Sequence, residues 1–181
     1  RQGTSTTHAL SKILTKLEES YHVFLTPTGF GSVFLAMFSV VRPGDEILVS
    51  DPVYSPTRIL TQDFFKEFNI KAIFYNPRDL STLKKNITKK TKLIFVENPG
   101  SNTFEFQDLS KIISIAKKNK IFTAMDNTWG TPYFLKPIKL GFDLSIVSGT
   151  KYYSGHSDVM GGSLAVSQRV FRSVLQAHNM T

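Results

Sequence analysis

The sequence predicts an α/β domain: a mostly parallel sheet flanked by helices. Two observations carry this. Near-continuous apolar segments of strand length recur at 46–50, 92–97, 121–126 and 143–147. Strands buried on both faces read this way, whereas one-faced strands alternate apolar with polar. Between them lie segments with helical spacing, such as Leu109, Ile112, Ile113 and Ala116 behind a capping Asp108. Strands that alternate with helices need crossover connections, and crossovers make parallel sheets covered on both sides.

Taken in order, residues 21–27 form a β-prone segment, followed by a glycine-containing turn and an apolar helix over 32–41. Arg42-Pro43-Gly44-Asp45 is turn chemistry before the strand at 46–50. A helix over 56–68 sets Ile59, Leu60, Phe64 and Phe68 near one face. The strand 71–75 and a lysine-rich helix over 80–87 follow. After the strand at 92–97 come the Asp108-capped helix and the strands at 121–126 and 143–147. A last strand at 160–166 leads to a helix beginning near Gln168. No repeat, low-complexity tract or linker interrupts the chain, so its 181 residues read as one domain.

Composition narrows the function classes. The longest apolar run, 33–41, is far shorter than the ~20 residues that cross a bilayer, so no membrane partner is expected. The absence of cysteine removes disulfides and thiolate metal sites, and fits a cytoplasmic protein with no metal centre. A net charge of +8 invites a nucleic-acid reading. The lysines argue against it: Lys84, Lys85, Lys89, Lys90 and Lys92 follow one segment, and Lys117, Lys118 and Lys120 close another. Such runs are solvated surface and helix-end charges, not aromatic-interleaved binding motifs. The chain opens on Arg1-Gln2-Gly3 without a methionine and closes inside a helix-like segment, which predicts a fragment of a longer protein, truncated at both ends.

In parallel α/β sheets ligands sit beyond the carboxyl ends of the strands, so polar residues there are the candidates. Pro27-Thr28-Gly29-Phe30-Gly31-Ser32 is a strand-to-helix turn that can present unpaired N–H groups to an anion, or can be only a turn. Asp126, after a buried strand, needs a cation or hydrogen bonds, and a protonated pyridine nitrogen is one such cation; a helix cap is the plain alternative. Ser148-Gly149-Thr150-Lys151 ends another strand with two hydroxyls and an amine able to form an imine, although exposed lysines are common in such places. Tyr54 can stack on a flat ring or pack in the core. Each cluster is modest alone. Together they supply what pyridoxal 5'-phosphate (PLP) requires: a phosphate cradle, a stacking ring, a carboxylate and a lysine.

At these residues the chain resembles the Cys/Met metabolism PLP-dependent enzymes of fold type I. Asp126-Asn127-Thr128-Trp129-Gly130-Thr131-Pro132-Tyr133-Phe134 is similar to the family's Asp-Asn-Thr-aromatic segment. Ser148-Gly149-Thr150-Lys151-Tyr152, with Gly155-His156-Ser157-Asp158-Val159-Met160-Gly161-Gly162, is similar to its lysine signature. Trp129, and Pro99-Gly100-Ser101 after Glu97-Asn98, resemble the bacterial cystathionine β-lyase branch.

The resemblance implies a PLP-binding large domain whose C-terminal partner domain, with the arginine for the substrate carboxylate, is missing. It implies Lys151 as Schiff-base residue and proton carrier, and Asp126 as partner of the pyridine nitrogen. Gly29, Phe30, Ser148 and Thr150 would hold the phosphate. Tyr54 would stack on the ring and share in catalysis. Arg1 would reach the phosphate of a neighbouring subunit, in a homodimer or homotetramer. The implied reaction is β-elimination of cystathionine to homocysteine, pyruvate and ammonia. Cystathionine γ-synthase, γ-lyase or methionine γ-lyase chemistry is the alternative within the family; an aminotransferase or a catalytically incompetent fragment is the alternative outside it. His156 is expected to make structural hydrogen bonds in its loop.

Overall fold

A computed structural model of the chain describes residues 3–180. Helix α1 (Ser5–Glu18) opens the fold and leads to β1 (His22–Thr26) and α2 (Gly29–Val40). β2 (Glu46–Ser50) is followed by α3 (Ser55–Ile59), a π-helical turn (Leu60–Phe64) and α4 (Phe65–Glu67). Next come β3 (Lys71–Tyr75), α5 (Leu80–Lys85), β4 (Thr91–Glu97) and α6 (Leu109–Asn119). β5 (Phe122–Asp126), the short α7 (Thr131–Phe134) and α8 (Pro137–Leu140), β6 (Leu144–Ser148), β7 (Gly162–Val166) and α9 (Phe171–Met180) complete it.

The strands form one seven-stranded sheet in the order β1-β7-β6-β5-β4-β2-β3. The five strands from β3 to β6 are parallel, as the sequence predicts. β7 is the exception, antiparallel to both β6 and β1. The segment between β6 and β7 contains no helix to carry the chain back across the sheet, so β7 returns in the opposite direction.

Side-chain alternation explains the continuous apolar strands. Along β4, Leu93 and Phe95 enter the core under α2 and α9, while Ile94 and Val96 enter the core under α5 and α6. All four are fully buried. Each such side chain contributes about 1.5–3 kcal/mol by leaving water, so a charge at any of these positions would disrupt both layers. A third, smaller cluster joins Leu14 of α1 to Val23 and Ala165 of the antiparallel strands.

Some elements depart from the sequence reading. α1 lies outside the predicted elements, although Leu10, Ile13, Leu14 and Leu17 recur at helical spacing. Its start is set by reciprocal capping between Thr4 and Thr7, in a threonine-rich stretch of low helix propensity. α2 begins three residues earlier than Ser32, at Gly29, because Thr28 caps it. The long helix expected over 56–68 is broken by its π-helical turn. Among the described residues no helix is long and apolar enough to cross a membrane.

Candidate active site

β2, β4, β5 and β6 run parallel and end on one edge of the sheet. Their last residues and following loops surround a cavity of about 590 Å³. Gly29, Phe30, Tyr54, Asp126, Ser148, Thr150 and Lys151 all line it, so the candidates from four distant segments meet in one place. Arg1 lies outside the described residues. An apolar cavity between α2, the π-helical turn and α9 offers mainly phenylalanine side chains, without a convergent polar set.

The cavity wall at α2 has the form of a cradle that could hold an anion. The Thr28 hydroxyl accepts the Gly31 N–H at 2.9 Å, and the Thr28 carbonyl accepts the Ser32 N–H at 3.2 Å. The N–H groups of Gly29 and Phe30 precede these and have no acceptor among the described residues. They belong to the first turn of a twelve-residue helix, where unpaired donors and the helix dipole favour negative charge. Gly29 is required by proximity: a Cβ there would come within 2.5 Å of the Ser148 side chain. The Ser148 hydroxyl makes no hydrogen bond to the described residues. The Thr150 hydroxyl, by contrast, is engaged with Gly161, donating to its carbonyl at 3.3 Å and accepting its N–H at 3.2 Å. Gly29→Ala is expected to push α2 and Ser148 apart, costing about 1–3 kcal/mol and weakening phosphate-dependent cofactor binding; thermal melts with and without PLP check both effects.

Two carboxylates face each other across neighbouring strands. Glu97 and Asp126 are register partners at the ends of β4 and β5. Burial pushes the Asp126 carboxyl above its ordinary range, although the Thr128 side chain and N–H and the Lys151 ammonium pull it back. Its Oδ1 accepts the Thr128 N–H at 3.0 Å. Asp126 keeps some solvent access at the cavity mouth, but protein surrounds the rest of it and loss of water is the larger effect. Burial and the Asp126 charge raise Glu97 to about 7. Glu97 also accepts the Tyr54 N–H at 2.7 Å and the Ser101 hydroxyl, so it holds the loop that carries the Tyr54 ring. The Tyr54 side chain itself is half exposed.

Glu97 was not among the sequence candidates as a site residue, although a charge ending a buried strand is the signal that picked out Asp126. Trp129 and Tyr152 also reach the cavity, their rings stacked at 6.0 Å between centroids. Their exposure gave no apolar pattern to read. His156 is exposed, does not line the cavity, and makes no hydrogen bond to the described residues. The expected structural hydrogen bonds are therefore not found; the turn is held by its backbone and by Ser154 instead.

The donor set fits PLP. Two free N–H groups and a free hydroxyl suit a phosphate ester, a carboxylate short of water suits a ring cation, and the Lys151 amine opens onto the same space. Fold and cavity together define the class, an α/β domain of a PLP-dependent enzyme of fold type I. The family model for Cys/Met metabolism PLP-dependent enzymes matches residues 1–181. A Rhizobium johnstonii protein assigned as a cystathionine beta-lyase is 36% identical over 179 residues, covering 99% of this chain and 45% of its own length. Cystathionine gamma-lyase from Lactobacillus plantarum, solved with L-serine, superposes with a TM-score of 0.94 at 28% identity, over 98% of this chain and 47% of that one. A Campylobacter jejuni protein assigned as an O-acetylhomoserine (thiol)-lyase, solved with N'-pyridoxyl-lysine-5'-monophosphate, gives a TM-score of 0.88 at 32% identity, over 94% of this chain and 42% of that one.

The chain belongs to the Cys/Met metabolism PLP-dependent enzyme family, and its cofactor is pyridoxal 5'-phosphate. It spans less than half the length of these relatives.

Proposed function

We propose that the full-length protein is a PLP-dependent carbon–sulfur lyase that cleaves cystathionine by β-elimination to homocysteine, pyruvate and ammonia. What carries the reading is the convergence of Lys151, Asp126 and the Gly29–Phe30 cradle on one cavity. Residues 1–181 are then its cofactor-binding large domain, with the substrate carboxylate bound by residues outside this chain. The β-lyase names among its relatives and the Trp129 and Gly100-Ser101 segments support the choice of reaction.

Each residue has a task. The N–H groups of Gly29 and Phe30, with the Ser148 hydroxyl, bind the phosphate; Thr150 braces the turn beside it and adds its hydroxyl. Asp126 keeps the ring nitrogen protonated, and Tyr54 covers the ring. PLP, when bound, draws electrons from the α-carbon of the attached amino acid. Lys151 Nζ, which opens onto the cavity, would anchor the cofactor there and, once free, would take the α-proton as the nearby base. The family resemblance assigns Arg1 to the phosphate of a neighbouring subunit, which supports a homodimer or homotetramer of the full-length protein. The cysteine-free sequence fits a cytoplasmic enzyme.

The Lactobacillus gamma-lyase likeness supports a second reading, γ-elimination. The full-length enzyme given cystathionine separates the two. Pyruvate with free homocysteine is the expected result; 2-oxobutyrate with cysteine overturns the β-lyase assignment.

A further inference from the structure

Glu18, the last residue of α1, is fully buried, yet it takes no part in the cavity. A carboxylate out of water is costly, and an apolar side chain would fill that space without the cost. Its neighbours show what it touches. One oxygen lies 3.3 Å from the Ser145 hydroxyl on β6, three residues before Ser148. The other lies 3.5 Å from the Tyr153 hydroxyl, two residues beyond Lys151.

Tyr153 does not line the cavity. Its ring packs with Leu14, Val23 and Ala165 in the cluster under α1, and a Cβ on Gly149 would sit 3.4 Å from its edge. The Lys151 turn is compact in itself: Lys151 N–H donates to Ser148, Ser154 N–H to Gly149, and Gly155 N–H to Lys151. Beside the Thr150–Gly161 bonds, Tyr153 fastens this turn into the core, and its hydroxyl tip meets Glu18 and Ser163. Burial raises both groups, Glu18 to about 7, so Tyr153 stays a neutral donor. The remaining charges near Glu18 are Lys136, which pairs with Glu19, and Lys139 of α8, which also pairs with Glu19. β1 and β7 present Val23 and Ala165 on this side.

We propose that Glu18 and Tyr153 are positioning residues for Lys151: the carboxylate holds the phenol, the phenol fixes the turn, and the turn fixes the amine. This rests on the reading of Lys151 as the residue that links to PLP.

The test uses the PLP-loaded full-length protein with Tyr153→Phe, Glu18→Leu, Glu18→Gln and Lys151→Ala. Readouts are the pH midpoint of the cofactor's visible band, the rate of PLP dissociation, and the melting temperature without PLP. Tyr153→Phe keeps the ring and loses the hydroxyl; Glu18→Leu removes the acceptor together with its desolvation cost. Both are expected to shift the midpoint and to release PLP about five-fold faster, the effect of one lost hydrogen bond; Tyr153→Phe, which leaves the buried carboxylate short of a donor, melts lower than Glu18→Leu. Glu18→Gln retains an acceptor and should restore most of the parent behaviour. Unchanged midpoint and dissociation in Tyr153→Phe overturn the proposal, whether or not the Glu18 variants fold. A lowered melting temperature with unchanged spectra overturns it too, because the pair is then only packing. A visible band that survives in Lys151→Ala instead overturns the reading of Lys151 itself.

Discussion

Lys151→Ala is expected to abolish the lysine-linked visible absorbance of bound PLP and to lower turnover by about 10³-fold or more. Two losses combine. The covalent link disappears, leaving the cofactor held only by the cradle, Asp126 and Tyr54. The base that takes the α-proton disappears as well, and a positioned base alone is worth about 10²–10⁴-fold. Lys151 is exposed on its turn, and its side chain makes no hydrogen bond to the described residues, so the fold does not depend on it. The variant should therefore melt close to the parent without PLP. Spectra, turnover and melting on one preparation check the prediction; an active, coloured alanine variant contradicts it.

Asp126→Asn is expected to give the second largest loss, about 10²–10³-fold in turnover, with stability moving the other way. In the role proposed for Asp126, asparagine would not hold a proton on the ring nitrogen, so the electrostatic stabilisation of the transition state would be removed. In the cofactor-free protein the sign of the stability effect follows from the raised folded pKa of Asp126. A carboxyl raised by burial binds its proton more tightly when folded. Its contribution is fully present below the ordinary value of 3.8 and is lost as pH rises through the folded value. At neutral pH the parent bears that deficit, and asparagine does not. The cofactor-free variant should resist denaturant at least as well as the parent, with an advantage larger at pH ~8 than at pH ~4. Denaturant midpoints at the two pH values, beside turnover with PLP, test both halves.

The strands were readable because their sheet is covered on both faces, which leaves runs of consecutive apolar residues in β2 and β4 and mostly apolar interiors in β5 and β6. Their parallel direction was readable from the intervening helices, but the reversal of β7 was not, since an apolar run carries no arrow; only the helix-free connection before it hints at the turn-back. α1 has the spacing of a helix but opens on Ser5-Thr6-Thr7, residues that favour caps over helix interiors. In the cavity, Asp126, Lys151 and Gly29 stood out as polar or flexible residues at strand ends. Glu97 stands at an equivalent place, but its meaning depends on the Tyr54 N–H, which only the fold brings near. Glu18 looks from sequence like an ordinary helix-end glutamate beside Glu19; burial alone distinguishes the two.

The reversed β7 also decides when the cavity can exist. It lies between β1 and β6, and its first residue, Gly162, approaches the Thr28 carbonyl so closely that a Cβ would come within 2.3 Å. The cradle at Gly29 and the serine at Ser148 are thus brought together across a strand made later than either. A growing chain that has passed Lys151 already holds the cradle, Asp126 and the lysine, but not the strand that separates β1 from β6 in the finished sheet. Closing so long a loop is slow compared with local helix formation. Cofactor binding is therefore expected to lag helix formation during refolding, which following the helix signal and the cofactor absorbance together checks.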